Sequence, residues 1–342
     1  MENRVLGRTG LWVSSIGVGT GQFGAFGEPD HDACIRIAHI ALDRGVNLID
    51  TADFYSGGEA ETIVGKAIAD RREKVIVATK CGLPMSADPN ESGASRRWIM
   101  RSVEASLRRL GTDYIDVYQM HRPDPNTDVM QTVETLDDLV RAGKIRYFGS
   151  SMFPAELLVE AQLRAQQGGR SGFHSEQTSY SIFNRLGEAD VFPVCERMGL
   201  GVFAYSPLDS GWLSGKYRSG QVTEVSPRYR LMAGYFDLKQ QLSQRKLEAV
   251  EKLSALAAEA GITLSHLAIG FVLAHSSVTS ALVGGWKPAY IEEHLTRNEA
   301  RLSDEVLDAI DAIVAPGTNI NGTTRNYLSP ALTDPTQRRR RA

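Results

Sequence analysis

Residues 48–55 read LIDTADFY. A short apolar run, the length of a buried strand, ends in the carboxylate of Asp50, and Tyr55 stands just beyond it. The same arrangement returns twice. VIVATK (75–80) ends an apolar run in Lys80, and DVYQMH (116–121) ends one in His121. Charged and polar groups gathered at the C-terminal ends of parallel strands are where (β/α)8 barrels keep their chemistry.

Outward from these runs, strands alternate with amphipathic helices. The strand candidates are Ile16–Thr20, Asn47–Asp50, Val75–Thr79, Tyr114–Met120, Ile145–Ser150, His174–Thr178, Leu200–Tyr205 and Val278–Val283. Apolar residues recur at helical spacing between them, as in Cys34, Ile37, Ala38, Ala41 and Leu42. Arg97 to Leu110 forms another helix, with Gly111 as its C-cap. Leu247, Val250, Leu253, Leu256 and Ala257 mark a third. Eight strands, each followed by a helix, imply a parallel sheet that closes. The expected fold is therefore α/β, a (β/α)8 TIM barrel over residues 1–342, with its core at about 4–315 and a tail at 316–342. RVLGRTGLWVSSIGVG (4–19) reads as an N-terminal β-hairpin feeding the first barrel strand. The long loops Gly82–Ser95 and Tyr217–Leu242 fall on the C-terminal face. The structural rival is an open doubly wound sheet, whose glycine fingerprint opens a helix. GVGTGQFGAFG (17–27) is glycine-rich but does not.

Composition agrees with a soluble globular protein: 42% hydrophobic, 23% charged and a net charge of −3. That charge argues against a nucleic-acid-binding body, and no apolar run is long enough for a bilayer. Arg338–Arg341 reads as a solvated end. Cys34, Cys81 and Cys195 lack metal-ligand spacing and read as free thiols of a reducing compartment, the cytoplasm. Cys81 reads as small buried filler; the rival is a redox gate beside Lys80.

The four strand-end groups are chemically coherent. A lysine deep in an apolar environment stays charged only beside an anion, and Asp50 is on the neighbouring strand. A free phenol titrates at about 10, and a nearby ammonium stabilises its phenolate. That makes Tyr55 a workable general acid. His121 is placed to orient a carbonyl oxygen. The bland alternatives are a structural ion pair at the rim, a packed tyrosine and a core histidine.

IDTADFY (49–55), SLRRLGTDYIDVYQMHRPDP (106–125), GKIRYFGSS (143–151), AYSPL (204–208) and SGKY (214–217) resemble the aldo-keto reductase superfamily of NAD(P)H-dependent (β/α)8 carbonyl reductases. The resemblance covers roughly residues 4 to 315. It implies a catalytic tetrad of Asp50, Tyr55, Lys80 and His121, with Tyr55 giving the proton to a small-molecule aldehyde or ketone. It also implies cofactor contacts from Gly19, Thr20, Ser151, Gln177 and Tyr205. The pyrophosphate end falls to Ser206, Pro207, Leu208 and Lys216. The adenine end falls to Gly284, Trp286, Lys287, Glu293, His294 and Arg228. Trp286, Tyr290 and His294 depart from the usual residues there, and Met152 replaces an asparagine. NADPH is the expected cofactor on the strength of Lys287 and Arg228, with NADH as the alternative. Phe23, Phe54, Trp98 and Trp212 are the candidate pocket aromatics. Two other roles stay open within the resemblance. One is reduction of nucleotide-linked deoxysugars, and the other is an NADP-binding regulatory subunit like the potassium-channel β subunits.

Overall fold

A computed structural model of the chain describes residues 1–218, 221–222, 236–296 and 301–322. Eight parallel strands close into a barrel. In chain order these are β3 (Ile16–Gly19), β4 (Leu48–Asp50), β5 (Ile76–Cys81), β6 (Ile115–Met120), β7 (Ile145–Ser151), β8 (Ser175–Ser179), β9 (Gly201–Tyr205) and β12 (Val278–Val283). Strand β12 pairs with both β9 and β3 and closes the ring. Helices α1 (His31–Asp43), α2 (Glu59–Ile68), α3 (Arg96–Leu110), α4 (Val129–Arg141), α5 (Ala155–Gln167) and α6 (Val191–Met198) follow the first six strands. After β9 come a small antiparallel pair, β10 (Tyr217–Arg218) and β11 (Gln221–Val222), and then two helices, α7 (Gln241–Glu259) and α8 (Leu264–Ala274). Helices α9 (Pro288–Leu295) and α10 (Asp304–Ile313) follow β12.

Two separate apolar clusters explain why the strands read as apolar on both faces. Ile49, Val77, Tyr118, Phe148 and Val202 pack outward with the helices. Their neighbours Leu48, Ile76, Ala78, Val117 and Phe203 form a second cluster with Leu282. A strand alternates faces at period two, so this second set fills the barrel. Leu6 and Val13 join it from the N-terminal hairpin of β1 (Asn3–Val5) and β2 (Trp12–Ser14). The hairpin thereby plugs one end of the barrel. The same alternation continues past the apolar filling: Leu48 leads to Asp50, Ala78 to Lys80 and Phe203 to Tyr205. The strand-end groups singled out in the sequence are the top layer of the barrel's own interior.

Differences from the sequence reading are local. Strand β5 runs on to Cys81 instead of ending at Thr79, because Lys80 and Cys81 continue the ladder opposite Gln119 and Met120. Among the described residues two helices separate β9 from β12; α8 is LSHLAIGFVLA, apolar nearly all round, and so lacks the stripe that betrays a surface helix. Arg228, much of the loop after Tyr217 and Arg338–Arg341 lie outside the described residues. No single described helix is long and apolar enough to cross a membrane.

Candidate active site

Lys80 is wholly buried at the top of the barrel. An ammonium has three donors, and its surroundings take all three. Nζ lies 2.8 and 2.7 Å from the two Asp50 oxygens, 2.8 Å from the Thr51 carbonyl and 3.5 Å from the Tyr55 hydroxyl. Burial alone would pull the lysine pKa down. The Asp50 carboxylate and the Tyr55 oxygen outweigh it, and the net direction is upward. Lys80 therefore stays charged. Asp50 also accepts a hydrogen bond from Gln177 Nε2 at 2.8 Å.

Tyr55 opens a tight turn over Tyr55–Gly58, in which Ser56 is left-handed at φ 51°. The strain of that conformation is met by two bonds. Ser56 Oγ donates to the Phe23 carbonyl at 2.7 Å and accepts from Phe26 N at 3.0 Å. The loop after β3 is thus pinned to the turn that presents Tyr55. Gly21 belongs to that loop; a Cβ there would lie 3.6 Å from Tyr55 Cζ, over the hydroxyl end of the ring. His121 meets Tyr55 edge-on, with ring centroids 5.8 Å apart. Burial, with Lys80 and Arg122 nearby, holds His121 well below its ordinary pKa, so the imidazole is neutral.

A cavity of about 360 Å³ runs from these groups across the top of the barrel. Asp50, Tyr55, His121, Ser151, Gln177, Tyr205, Ser206, Pro207, Leu208, Lys216, Gly284, Trp286, Glu293 and His294 all line it, as do Gly19 and Phe54. Other expected residues stand elsewhere. Thr20 is buried behind the wall, its hydroxyl donating to the Asp50 carbonyl. Lys287 lies over the Trp286 ring, 4.4 Å from its centroid. Phe23 is fully buried in the core. Trp98, in the first turn of α3, is buried away from the cavity. Trp212 stacks with Tyr217 and Phe236 instead of facing a ligand. These three aromatics were expected at the pocket because they flank strand ends; the helices and loops that carry them turn the rings inward.

Several lining residues escaped the sequence reading, among them Gly21, Gln22, Leu83, Arg122 and Ser210; Tyr290, noted there only as a departure, lines the cavity too. Arg122 had a signal in its position directly after His121. At the far end, Trp286 and Tyr290 stand 6.0 Å apart, and Lys216 Nζ lies 3.5 Å from the Tyr290 centroid. Met152, where the resemblance expects asparagine, keeps the left-handed backbone that asparagine tolerates, at φ 61°. Its sulfur lies 3.3 Å from the Tyr205 hydroxyl, anchoring that ring.

Residues 15–315 match the Aldo/keto reductase family. The chain belongs to this family. It is 37% identical to the uncharacterized oxidoreductase YrpG of Bacillus subtilis strain 168, over 93% of this chain and 97% of that protein. It is 35% identical to a probable voltage-gated potassium channel subunit beta of Oryza sativa subsp. japonica, over 92% and 97%, and 34% identical to one from Arabidopsis thaliana, over the same shares. This chain is an aldo/keto reductase family oxidoreductase on a (β/α)8 barrel, and the family typically uses nicotinamide cofactors.

The residues present fit such a cofactor. Buried Nδ1 of His294 and Nε1 of Trp286 have no partner among the described residues, and both side chains line the cavity. Between them and the tetrad, the backbone turns left-handed at Ser206, Asp209 and Ser210, the kind of turn that aims amides at an anion.

Two carboxyls under the rim set a pH dependence. Burial pushes Asp53 and Glu176 up to about 8, with Glu61 adding to the effect at Asp53. Native protein therefore holds protons that the unfolded chain releases above the usual carboxylate range. Their stabilisation is full at low pH and is lost as pH rises towards 8. His294 runs the opposite way: burial pulls it down to about 4, and its contribution is lost as pH falls from about 6.5. Between about pH 6.5 and 7.5 the carboxyls dominate, and Tm should fall by about 2 °C per unit. Glu176→Gln should flatten that slope in differential scanning calorimetry. An unchanged slope in the variant would contradict the assignment.

Proposed function

We propose that this oxidoreductase is a carbonyl reductase using NADPH, with Tyr55 as the general acid. The observation that carries the reading is the buried Lys80 bridging Asp50 and Tyr55 beside a neutral His121. Bound NADPH would supply hydride to the carbonyl carbon. Gln177, Ser151 and Tyr205 would hold the nicotinamide end, the Ser206–Leu208 turn and Lys216 the phosphates, and Trp286, Lys287, Glu293 and His294 the adenine end.

What the protein's own groups do follows from their charges. The carbonyl oxygen sits between the Tyr55 hydroxyl and the His121 imidazole. An uncharged imidazole donates a hydrogen bond without delivering its proton. As the oxygen gains negative charge, Tyr55 gives up its proton, and the Lys80 ammonium stabilises the phenolate left behind. Asp50 holds that ammonium in place and charged. Proton uptake through Lys80 and solvent restores the phenol.

Purified protein mixed with NADPH and 4-nitrobenzaldehyde should consume the nicotinamide absorbance. Absence of turnover across a panel of aldehydes and ketones would refute the reading. The second reading, a cofactor-binding regulator, draws on the similarity to the channel β subunits; tight NADPH binding without turnover would favour it. Cofactor choice has its own test. Lys287→Ala removes a cation beside Trp286 and should raise Kd for NADPH by about tenfold, with NADH changed by about twofold or less. Equal weakening of both would remove Lys287 as a 2′-phosphate ligand.

A further inference from the structure

We infer that the site takes carbonyl compounds bearing an anionic group, a carboxylate or a phosphate, and that Arg122 receives that group at the mouth of the cavity. The inference rests on the reductase reading and goes further by naming the substrate class. Arg122 lines the same cavity as Tyr55 and His121. It is half-buried, and one Nη1 donates back to the His121 carbonyl at 2.5 Å. A guanidinium has five N–H donors, so most of its capacity is open. Among the described residues no carboxylate lies within ion-pair distance of it. Arg72, Arg109, Arg170 and Arg185, all similarly or more buried, each hold a carboxylate.

The charges around Arg122 leave its own uncompensated. His121 is neutral. Asp50 is bound to Lys80 on both oxygens. Glu176 feels Arg122, but burial holds its carboxyl up to about 8, and it is already bonded to Ser150 and Phe153 N. The other side chains at this end of the cavity, Gln22, Phe54 and Leu83, carry no charge. A guanidinium in a half-closed cleft, flanked by neutral walls, is satisfied by an oxyanion that presents two acceptors to its fork.

The test compares matched pairs that differ in charge. For wild-type protein, kcat/KM with 4-carboxybenzaldehyde should exceed that with its methyl ester by about tenfold or more. Glyceraldehyde 3-phosphate against glyceraldehyde is the phosphate arm, and the larger ratio identifies the anion. Arg122→Gln should bring both ratios to about one, while Arg122→Lys, which keeps a cation, should restore part of the preference. Calorimetric titration in the presence of NADPH reads binding without turnover: benzoate should bind about tenfold tighter than benzamide, and Arg122→Gln should erase the difference. Ester and glyceraldehyde turnover with no preference for either charged partner overturns this inference and leaves the reductase reading standing. So does a charge preference that survives in Arg122→Gln. No turnover of any carbonyl defeats both.

Discussion

Tyr55→Phe is expected to lower kcat with NADPH and 4-nitrobenzaldehyde by about a thousandfold, the scale of a lost general acid. Dissociation of NADPH should change by about twofold or less. The argument is one of locality. The substitution keeps the ring, so the edge contact with His121 survives. The turn that carries it is held by Ser56, which the change does not touch. Lys80 loses its longest contact, at 3.5 Å, and keeps Asp50 and Thr51. What disappears is the hydroxyl proton and the oxygen that Lys80 would stabilise. A tyrosine that only packs would predict the opposite, turnover near that of the wild type. Steady-state rates alongside fluorescence titration of NADPH separate the two. Loss of both rate and cofactor binding would mean that the hydroxyl helps to position the cofactor, and the proton-donor assignment would fail.

The barrel was readable because its strands are short apolar runs, and alternation inside a strand is a property of local geometry. The convergence of the tetrad was readable for a related reason. Asp50 ends β4 and Lys80 is the last residue but one of the adjacent β5, and the two strands pair in a register that sets Asp50 opposite Ala78. Side chains two residues apart share a face, which brings Lys80 next to the Asp50 carboxylate. Loops carry no such period. Phe23, Trp98 and Trp212 could be placed near the rim from their position in the chain, but nothing in the sequence says which way a loop or a first helical turn faces. The same gap hid Gly21, Leu83 and Arg122, which do line the cavity. Gln177 illustrates a further limit. Its amide bonds Asp50 across 127 positions of chain. The resemblance assigns it to the cofactor, and it does line the cavity; its bond to Asp50 is an additional contact with no local signal.

The Asp50–Lys80 pair should behave as a cost to stability that is kept for chemistry. Each partner is at most 4% exposed. Lys80→Met leaves the Asp50 carboxylate buried with the Gln177 amide as its one remaining side-chain donor. Asp50→Asn leaves an ammonium facing neutral acceptors. Breaking a buried pair from one side typically costs about 3–5 kcal/mol, because an uncompensated charge remains. Urea midpoints for both single variants should drop accordingly. The double variant removes both charges, keeps an acceptor for Gln177 at position 50, and fills the Lys80 site with an unbranched apolar side chain. It should therefore lose less stability than either single variant, a strongly non-additive cycle. Turnover should be absent from Lys80→Met and from the double variant, which have no cation beside the Tyr55 oxygen, and should be lowered in Asp50→Asn, whose ammonium has lost the carboxylate that holds it charged. Additive losses would mean that the two residues act on the fold independently. Turnover in the double variant would be the more damaging result: it would show that Tyr55 needs no neighbouring charge to give up its proton, and the physical case for this group of four would collapse.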